Sequence, residues 1–267
     1  MISNSGIQSG TGSVIVNADD YGRDTLTTDR MVECLRAGLL SSVSSMVFMP
    51  DSERGAALAA EHGIDTGLHL NLTSPFRATY RPAGLNQRQA ELTRFLRINR
   101  LSRILYHPGL KDTFRFVVQA QIDEYARIYG YPPRRLDGHH HMHLCSNILF
   151  SDLLPEGAIV RRSHSYMGGE AGWLTRAYRA LVNRKLVRRH PTTDFFFNLR
   201  PFDPHRLQRI FARVAQGSVE VMTHILSDDE YHFLIDGGLT RCLGPIAVAR
   251  GYCLTGGEPR EAVDERR

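Results

Sequence analysis

Residues Val14-Ile15-Val16-Asn17-Ala18-Asp19-Asp20-Tyr21-Gly22 run from an apolar, β-branched start into two adjacent carboxylates and a glycine. β-Branched side chains suit the pleated surface of a strand, and glycine permits the turn that ends it. The stretch predicts a short strand that delivers two acids at its C-terminal end. An isolated Asp-Asp pair is usually a solvated turn, so its meaning depends on what other segments place beside it. At a strand end the two side chains can point different ways, one toward a cation and one toward a proton in transit.

Three other segments share this design. Thr66-Gly67-Leu68-His69-Leu70-Asn71-Leu72-Thr73 alternates leucines with polar residues, the period of a strand that turns His69 and Asn71 to one face. Asp137-Gly138-His139-His140-His141-Met142-His143 follows a short strand pattern at residues 134–138 and packs four histidines into five residues. Glu220-Val221-Met222-Thr223-His224 is again an apolar run ending in histidine. Imidazole is the commonest ligand of catalytic transition metals and the side chain best suited to proton transfer near neutral pH. With Asp19 and Asp20, His69 and the histidine cluster make a coherent Asp/His/His site.

Further strand patterns lie at residues 43–49, 158–161, 195–199 and 218–223, with a last one near Tyr252. Helical patterns lie between them, around residues 29–37, within 74–110 and over 114–128, where Gly130-Tyr131-Pro132-Pro133 stops the helix. Alternating β and α units imply a parallel sheet with right-handed crossovers. Asp19, Asp20, His139 and His224 each directly follow an apolar strand, and His69 lies in the second half of its own. Chemistry gathered at C-terminal strand ends is the mark of a (β/α) barrel. The expectation is one α/β domain over residues 14–255 with an Arg- and Pro-rich insertion at about 74–110. A disordered leader is expected at residues 1–13 and a polar tail at 256–267.

Composition narrows the function classes. A chain of 267 residues with 42% hydrophobic content suits one large globular domain. No apolar run approaches the length of a membrane span, and the N-terminus lacks the basic and apolar regions of a secretory signal. Cys34, Cys145, Cys242 and Cys253 lie far apart with no C-x-x-C spacing, which disfavours a disulfide framework and suggests a reduced, cytoplasmic setting. The net charge of +5 is concentrated in residues 94–103 and 176–189. Residues 175–189 read as a basic amphipathic helix with Leu181 and Val182 turned inward; the alternative for this helix is contact with an anionic lipid surface or an acidic glycan. No zinc-finger, RNP-type or helix-turn-helix pattern supports nucleic-acid binding. There is no G-x-G-x-x-G after a strand, no G-x-S-x-G elbow and no H-E-x-x-H helix, which argues against dinucleotide, serine-hydrolase and zincin chemistry. Glycoside hydrolysis by paired carboxylates leaves the histidines unexplained.

The four strand-end motifs, in this order and spread over residues 14–252, resemble the YdjC-like carbohydrate deacetylases. The resemblance implies a single-domain, TIM-like irregular (β/α) barrel and a metal-dependent hydrolase that removes the acetyl group from an N-acetylated sugar, either an oligosaccharide or a glycolipid. It implies that Asp20, His69 and His139 hold one divalent metal ion, with Mg or Zn the leading candidates and Mn, Co and Ni further ones. Asp19 would be the general base, and His224 the general acid that protonates the departing amine. Asn17, Asn71, Asp137, His141 and His143 are expected to touch substrate or support the ligands. If the cluster stays extended, His139, His141 and His143 share a face and His140 points away. His164 is expected among the surface or core histidines. Two departures from the family pattern are Ile225, where proline usually follows the late histidine, and the divergent residues 23–28. Peripheral membrane contact and a homodimer are compatible with this reading. The alternatives are a hydrolase of another amide or ester on the same scaffold, or a non-catalytic metal- or glycan-binding protein.

Overall fold

A computed structural model describes residues 12–254. Seven parallel strands form one sheet: β1 Val14–Tyr21, β2 Ser42–Ser45, β3 Thr66–Leu70, β4 Arg135–Gly138, β5 Ile159–Val160, β6 Phe195–Asn198 and β7 Val219–Thr223. They are ordered β5-β4-β3-β2-β1-β7-β6. The edges meet, because the N–H of Ser165 beyond β5 donates to Phe196 O in β6 at 2.7 Å, and Val160 N–H donates to Pro191 O at 3.0 Å. The result is the expected single-domain α/β architecture, an irregular (β/α) barrel.

The alternation in β3 explains its inside and outside. Leu68 and Leu70 join an apolar layer with Leu136 of β4 and with Val117, Val118 and Tyr125 of helix α4. A second layer joins Val14, Val16, Val219 and Val221 to Met31, Leu207, Ile210 and Phe211 on the helices outside β1 and β7. Each such fully buried side chain contributes on the order of 1.5–3 kcal/mol. The other faces of these strands carry Asp19, His69, Asp137 and Glu220 into the interior, where all four are buried.

Local signals set the helix limits. Helix α1 (Thr25–Arg36) starts where Asp24 Oδ1 accepts the Thr27 N–H at 2.9 Å, an N-cap. Helices α2 (Ser52–His62) and α3 (Leu85–Arg97) come next, α3 being the helical part of the insertion. Phe48 O docks the insertion by accepting the N–H groups of Arg77 and Ala78, and Phe76 packs edge-on to Phe48. Helix α4 (Lys111–Tyr129) stops at Gly130, whose φ of 80° is the left-handed region that glycine adopts freely. After it come α5 (Ser146–Phe150) and α6 (Trp173–Leu186), then α7 (Pro204–Phe211), α8 (Asp228–Ile235) and α9 (Gly238–Leu243).

Three expectations need correction or restriction. No strand forms near Tyr252: Val248 makes an isolated bridge to Val14, and Tyr252 instead lays its ring over Arg135, 4.4 Å from the guanidinium carbon. In α6 only Val182 of the expected inward pair is buried, while Leu181 is 67% exposed. Leu186, four residues on, extends the Val182 face, and Leu181 is turned about 100° from Val182, out of that face. Residues 1–11 of the expected leader and 255–267, which include the expected tail, lie outside the described residues. Ser13 is tied in, its O accepting the Val219 N–H at 2.8 Å.

Candidate metal centre

In a regular strand Asp19 and Asp20 would face opposite sides. Here the register of β1 against β2 slips between Asp19 and Tyr21, and Asp20 takes a left-handed φ of 74°. This bulge re-aims the second side chain, so that both carboxylates reach the interior. Asp20 Oδ1 lies 2.9 Å from His139 Nδ1 and 3.3 Å from His69 Nε2. One ligand atom from each of Asp20, His69 and His139 lies within 4.8 Å of the others, and all three residues are buried.

The surroundings of His69 indicate what its free nitrogen awaits. Its Nδ1 donates to Asp137 Oδ1 at 2.7 Å, which turns Nε2 toward Asp20. His69 Nε2 is buried and has no hydrogen-bond partner among the described residues. A carboxylate behind an imidazole is the usual way to orient a metal-binding nitrogen. The charges divide between two partners: Asp19, Asp137 and Glu220 converge on the buried Arg161, while Asp20 faces His69, His139 and the half-exposed Arg23. Burial opposes a charge on His69, yet Asp19 and Asp137 outweigh it and push its pKa up to about 10. For Asp20, burial favours the neutral acid, but the hydrogen-bonded His139 and the His69 imidazole 3.3 Å away bring its pKa well below the usual carboxylate range. An ionised carboxylate and two imidazoles thus converge, and a divalent cation fits that donor set in place of the His69 proton.

Arg161, just past β5, organises the acids. Its Nη1 and Nη2 donate to Asp19 Oδ2 and Oδ1, its Nη2 also lies 2.7 Å from Asp137 Oδ2, and its Nε donates to Glu220 Oε1 at 2.6 Å. Asn17 Nδ2 adds a bond to Asp19 Oδ1 at 2.9 Å, while Ser44 Oγ donates to Asp137 Oδ2 at 2.6 Å. Asp137, despite its burial, is held well below the usual carboxylate range by Arg161 and His69. Burial raises the pKa of Glu220, whose other oxygen accepts the Tyr252 hydroxyl at 2.6 Å.

The histidine cluster is not extended. Residues His139–Leu144 form a 3-10 turn in which His140 (φ 55°) and His141 (φ 57°) are left-handed, so the expected shared face of His139, His141 and His143 does not form. Each ring goes its own way. His139 reaches the centre and holds Ser74 Oγ through Nε2 at 3.0 Å, and His140 bonds Thr73 Oγ1 at 2.9 Å. His141 Nε2 meets His164 Nε2 at 3.0 Å, and His143 Nε2 donates to Arg161 O at 2.9 Å. Gly138 makes the turn possible, since a Cβ there would lie 3.0 Å from the backbone nitrogen and the ring of His143.

The remaining expected residues divide. Asn71 fastens the loop after β3: its Oδ1 accepts the Thr73 and Ser74 N–H groups, and its Nδ2 donates to Ser74 O at 2.7 Å. It thus positions Ser74 beside His139 rather than meeting the centre itself. His224 is half-buried and follows Thr223, which pairs with Ala18, so it stands level with Asp19 on the neighbouring strand. Its N–H donates to Glu230 Oε2 at 2.7 Å. Sequence reasoning missed Arg161 and its hold on Asp19, Asp137 and Glu220, as well as the pairing of His164 with His141. The available signal was position: Arg161 occupies the same place after a strand as His139 and His224.

The family profile described as YdjC-like protein matches residues 13–238. The chain is 29% identical over 184 residues to a carbohydrate deacetylase of Mus musculus, covering 64% of this chain and 58% of that protein. It is 28% identical over 247 residues to a carbohydrate deacetylase of Homo sapiens, covering 79% and 74%. A chitooligosaccharide deacetylase of Proteus mirabilis is 28% identical, with 51% of each chain covered. The same fold occurs in a crystal structure from Enterococcus faecalis described as a cellobiose-phosphate cleavage protein, with a TM-score of 0.62 at 16% identity, covering 90% of this chain and 97% of that one. The profile match takes in all four strand-end motifs, from Asp19 to His224, and the chain belongs to the YdjC-like protein family.

Proposed function

We propose that this protein is a metal-dependent hydrolase that removes the acetyl group from an N-acetylated sugar, either an oligosaccharide or a glycolipid. One observation carries the reading: adjacent carboxylates at the end of β1 have different partners, Asp20 two imidazoles and the half-exposed Arg23, Asp19 no imidazole within hydrogen-bond reach but the buried fork of Arg161. A simple binding site has no use for the second acid, whereas hydrolysis needs a base beside the cation. The names of the mammalian and bacterial relatives support the choice of an N-acetyl sugar.

Asp20, His69 and His139 hold the cation. When bound, it supplies Lewis acidity to the acetyl carbonyl and to the attacking water. Asp19, aimed by Arg161 and Asn17, takes the proton from that water. His224, level with Asp19 on β7, gives a proton to the sugar nitrogen, which otherwise would have to leave as an amide anion. Asp137 keeps the His69 ring in place, and His143 does the same for the Arg161 backbone. One carboxylate and two imidazoles suit Zn, Mn, Co or Ni; Mg accepts the carboxylate readily and the imidazoles less so. No helix among the described residues is long and apolar enough to cross a membrane. Buried thiols at Cys34, Cys145 and Cys242 suit a reducing cytoplasm.

The decisive experiment measures acetate released from a panel of N-acetylated sugars by metal-free protein resupplied with Zn, Mn, Co, Ni or Mg. Metal-dependent acetate release is the expected result. Stoichiometric metal with no acetate from any sugar, and cleavage of another amide or ester instead, would overturn the substrate assignment.

A further inference from the structure

We infer that the outer face of α6, together with the end of the insertion, docks on an anionic lipid surface. Helix α6 presents Trp173, Leu174 and Leu181 to water at 75%, 65% and 67% exposure, while Val182 and Leu186 occupy its inner face. Trp173, Ala177 and Leu181 recur every four residues and so form one outward stripe. Around it stand Arg176, Arg184, Lys185 and Arg188, while Arg189 pairs with Asp152, and no acidic residue occurs in the sequence between Glu170 and Asp194.

The insertion repeats the pattern. Ile98, Leu101 and Leu105 are exposed among Arg94, Arg97 and Arg103, with no acidic residue between Glu91 and Asp112. The two stretches are joined. Tyr106 OH lies 3.3 Å from Ser151 Oγ, and the neighbouring Phe150, itself exposed, carries Lys185 Nζ at 4.7 Å from its ring centre. Apolar groups and cations are thus interleaved along one face.

This combination selects the partner. An acidic polysaccharide would neutralise the arginines and leave Trp173, Leu181, Ile98 and Leu105 in water. An apolar protein groove would cover the latter and strand the cations. The boundary of an anionic bilayer accepts both, with indole and leucines among the acyl chains and cations at the headgroups. Helix α6 has 14 residues and lies along such an interface rather than across it. Because α6 follows β5, Trp173 begins it on the barrel end that also carries Asp19, Asp20 and His139.

Trp173 is the sole tryptophan of the chain, so its fluorescence reports on this face alone. The full-length protein is titrated with phosphatidylcholine vesicles, with vesicles containing about 30% phosphatidylglycerol, and with heparin; the anionic fraction sets the surface potential. Expected are a blue shift and co-sedimentation with the anionic vesicles only, weakened about tenfold or more at about 0.5 M salt as the screening length shortens. Leu181→Glu and Arg184→Glu should each weaken vesicle binding about tenfold while leaving metal content and far-UV circular dichroism unchanged. No shift with anionic vesicles overturns the inference. So does an equal shift with heparin, which would identify an acidic-glycan site, or binding that Leu181→Glu leaves intact. None of these readouts depends on turnover.

Discussion

Arg161 holds Asp19 by two parallel hydrogen bonds, Nη1 to Oδ2 and Nη2 to Oδ1, each 2.7 Å long. The planar fork fixes where the carboxylate points, which an ammonium on a flexible stem cannot do. Arg161→Lys preserves the charge and loses the fork. Turnover should fall about 100-fold with metal content retained and little change in KM, as expected for a misplaced base. Steady-state kinetics with metal analysis checks it, and wild-type kcat in the variant would show that the fork does not position the base.

The neighbouring acids should separate on substitution. Asp20→Ala should lose both stoichiometric metal and activity. Asp19→Asn should keep the metal and lose turnover by about 100-fold or more, the typical worth of a general base. Metal content after dialysis, read beside acetate release, distinguishes them. Near-normal turnover in Asp19→Asn would remove Asp19 from its role.

Metal binding should release a proton. Against the effect of burial, Asp19 and Asp137 push the His69 pKa up to about 10, so near pH 7 the metal-free protein carries His69 protonated. A metal needs the free lone pair, so uptake near pH 7 expels about one proton, and affinity climbs as pH rises toward the His69 pKa. Calorimetry in two buffers of different ionisation enthalpy reads the number directly. A value near zero would mean that His69 does not ligate.

Acid should weaken the fold through its buried neutral histidines. Burial pulls the His143 pKa down to about 4 and that of His164 to about 3. Both lie below the value of about 6.5 in an unfolded chain, so between these limits the unfolded state binds more protons. Their contribution is complete above about pH 6.5 and disappears as pH falls toward 4. His143→Gln can still donate to Arg161 O and cannot protonate. Urea midpoints of metal-free protein between about pH 7 and 4.5 should therefore fall less in the variant, by an equivalent of about 1–3 kcal/mol. Parallel curves would exclude His143 as a source of the acid sensitivity.

Most of the centre was legible because it lies at strand ends, where an apolar run followed by Asp or His states both where the strand stops and what it delivers. Asp19, Asp20, His69 and His139 come together in the structure for that reason. The geometry of the histidine cluster was not legible. Consecutive histidines carry no periodicity that separates an extended run from a turn, and the left-handed residues at His140 and His141 depend on the small Gly138 before them. Arg161 was hidden for another reason: arginine is common at surfaces, and only the three acids converging on it reveal an interior role. Leu181 was misassigned because a helix with cations on most sides does not announce which turn faces the core.

The bulge at the end of β1 has a mechanical consequence. Asp19 and Asp20 are separated by a single planar peptide unit, whose length is fixed by covalent bonds. The backbones of the proposed base and the proposed ligand are therefore held one peptide apart. From that common anchor Arg161 steers the tip of one acid and the two imidazoles steer the tip of the other, so a change in either set of partners re-aims one carboxylate while its neighbour keeps its place.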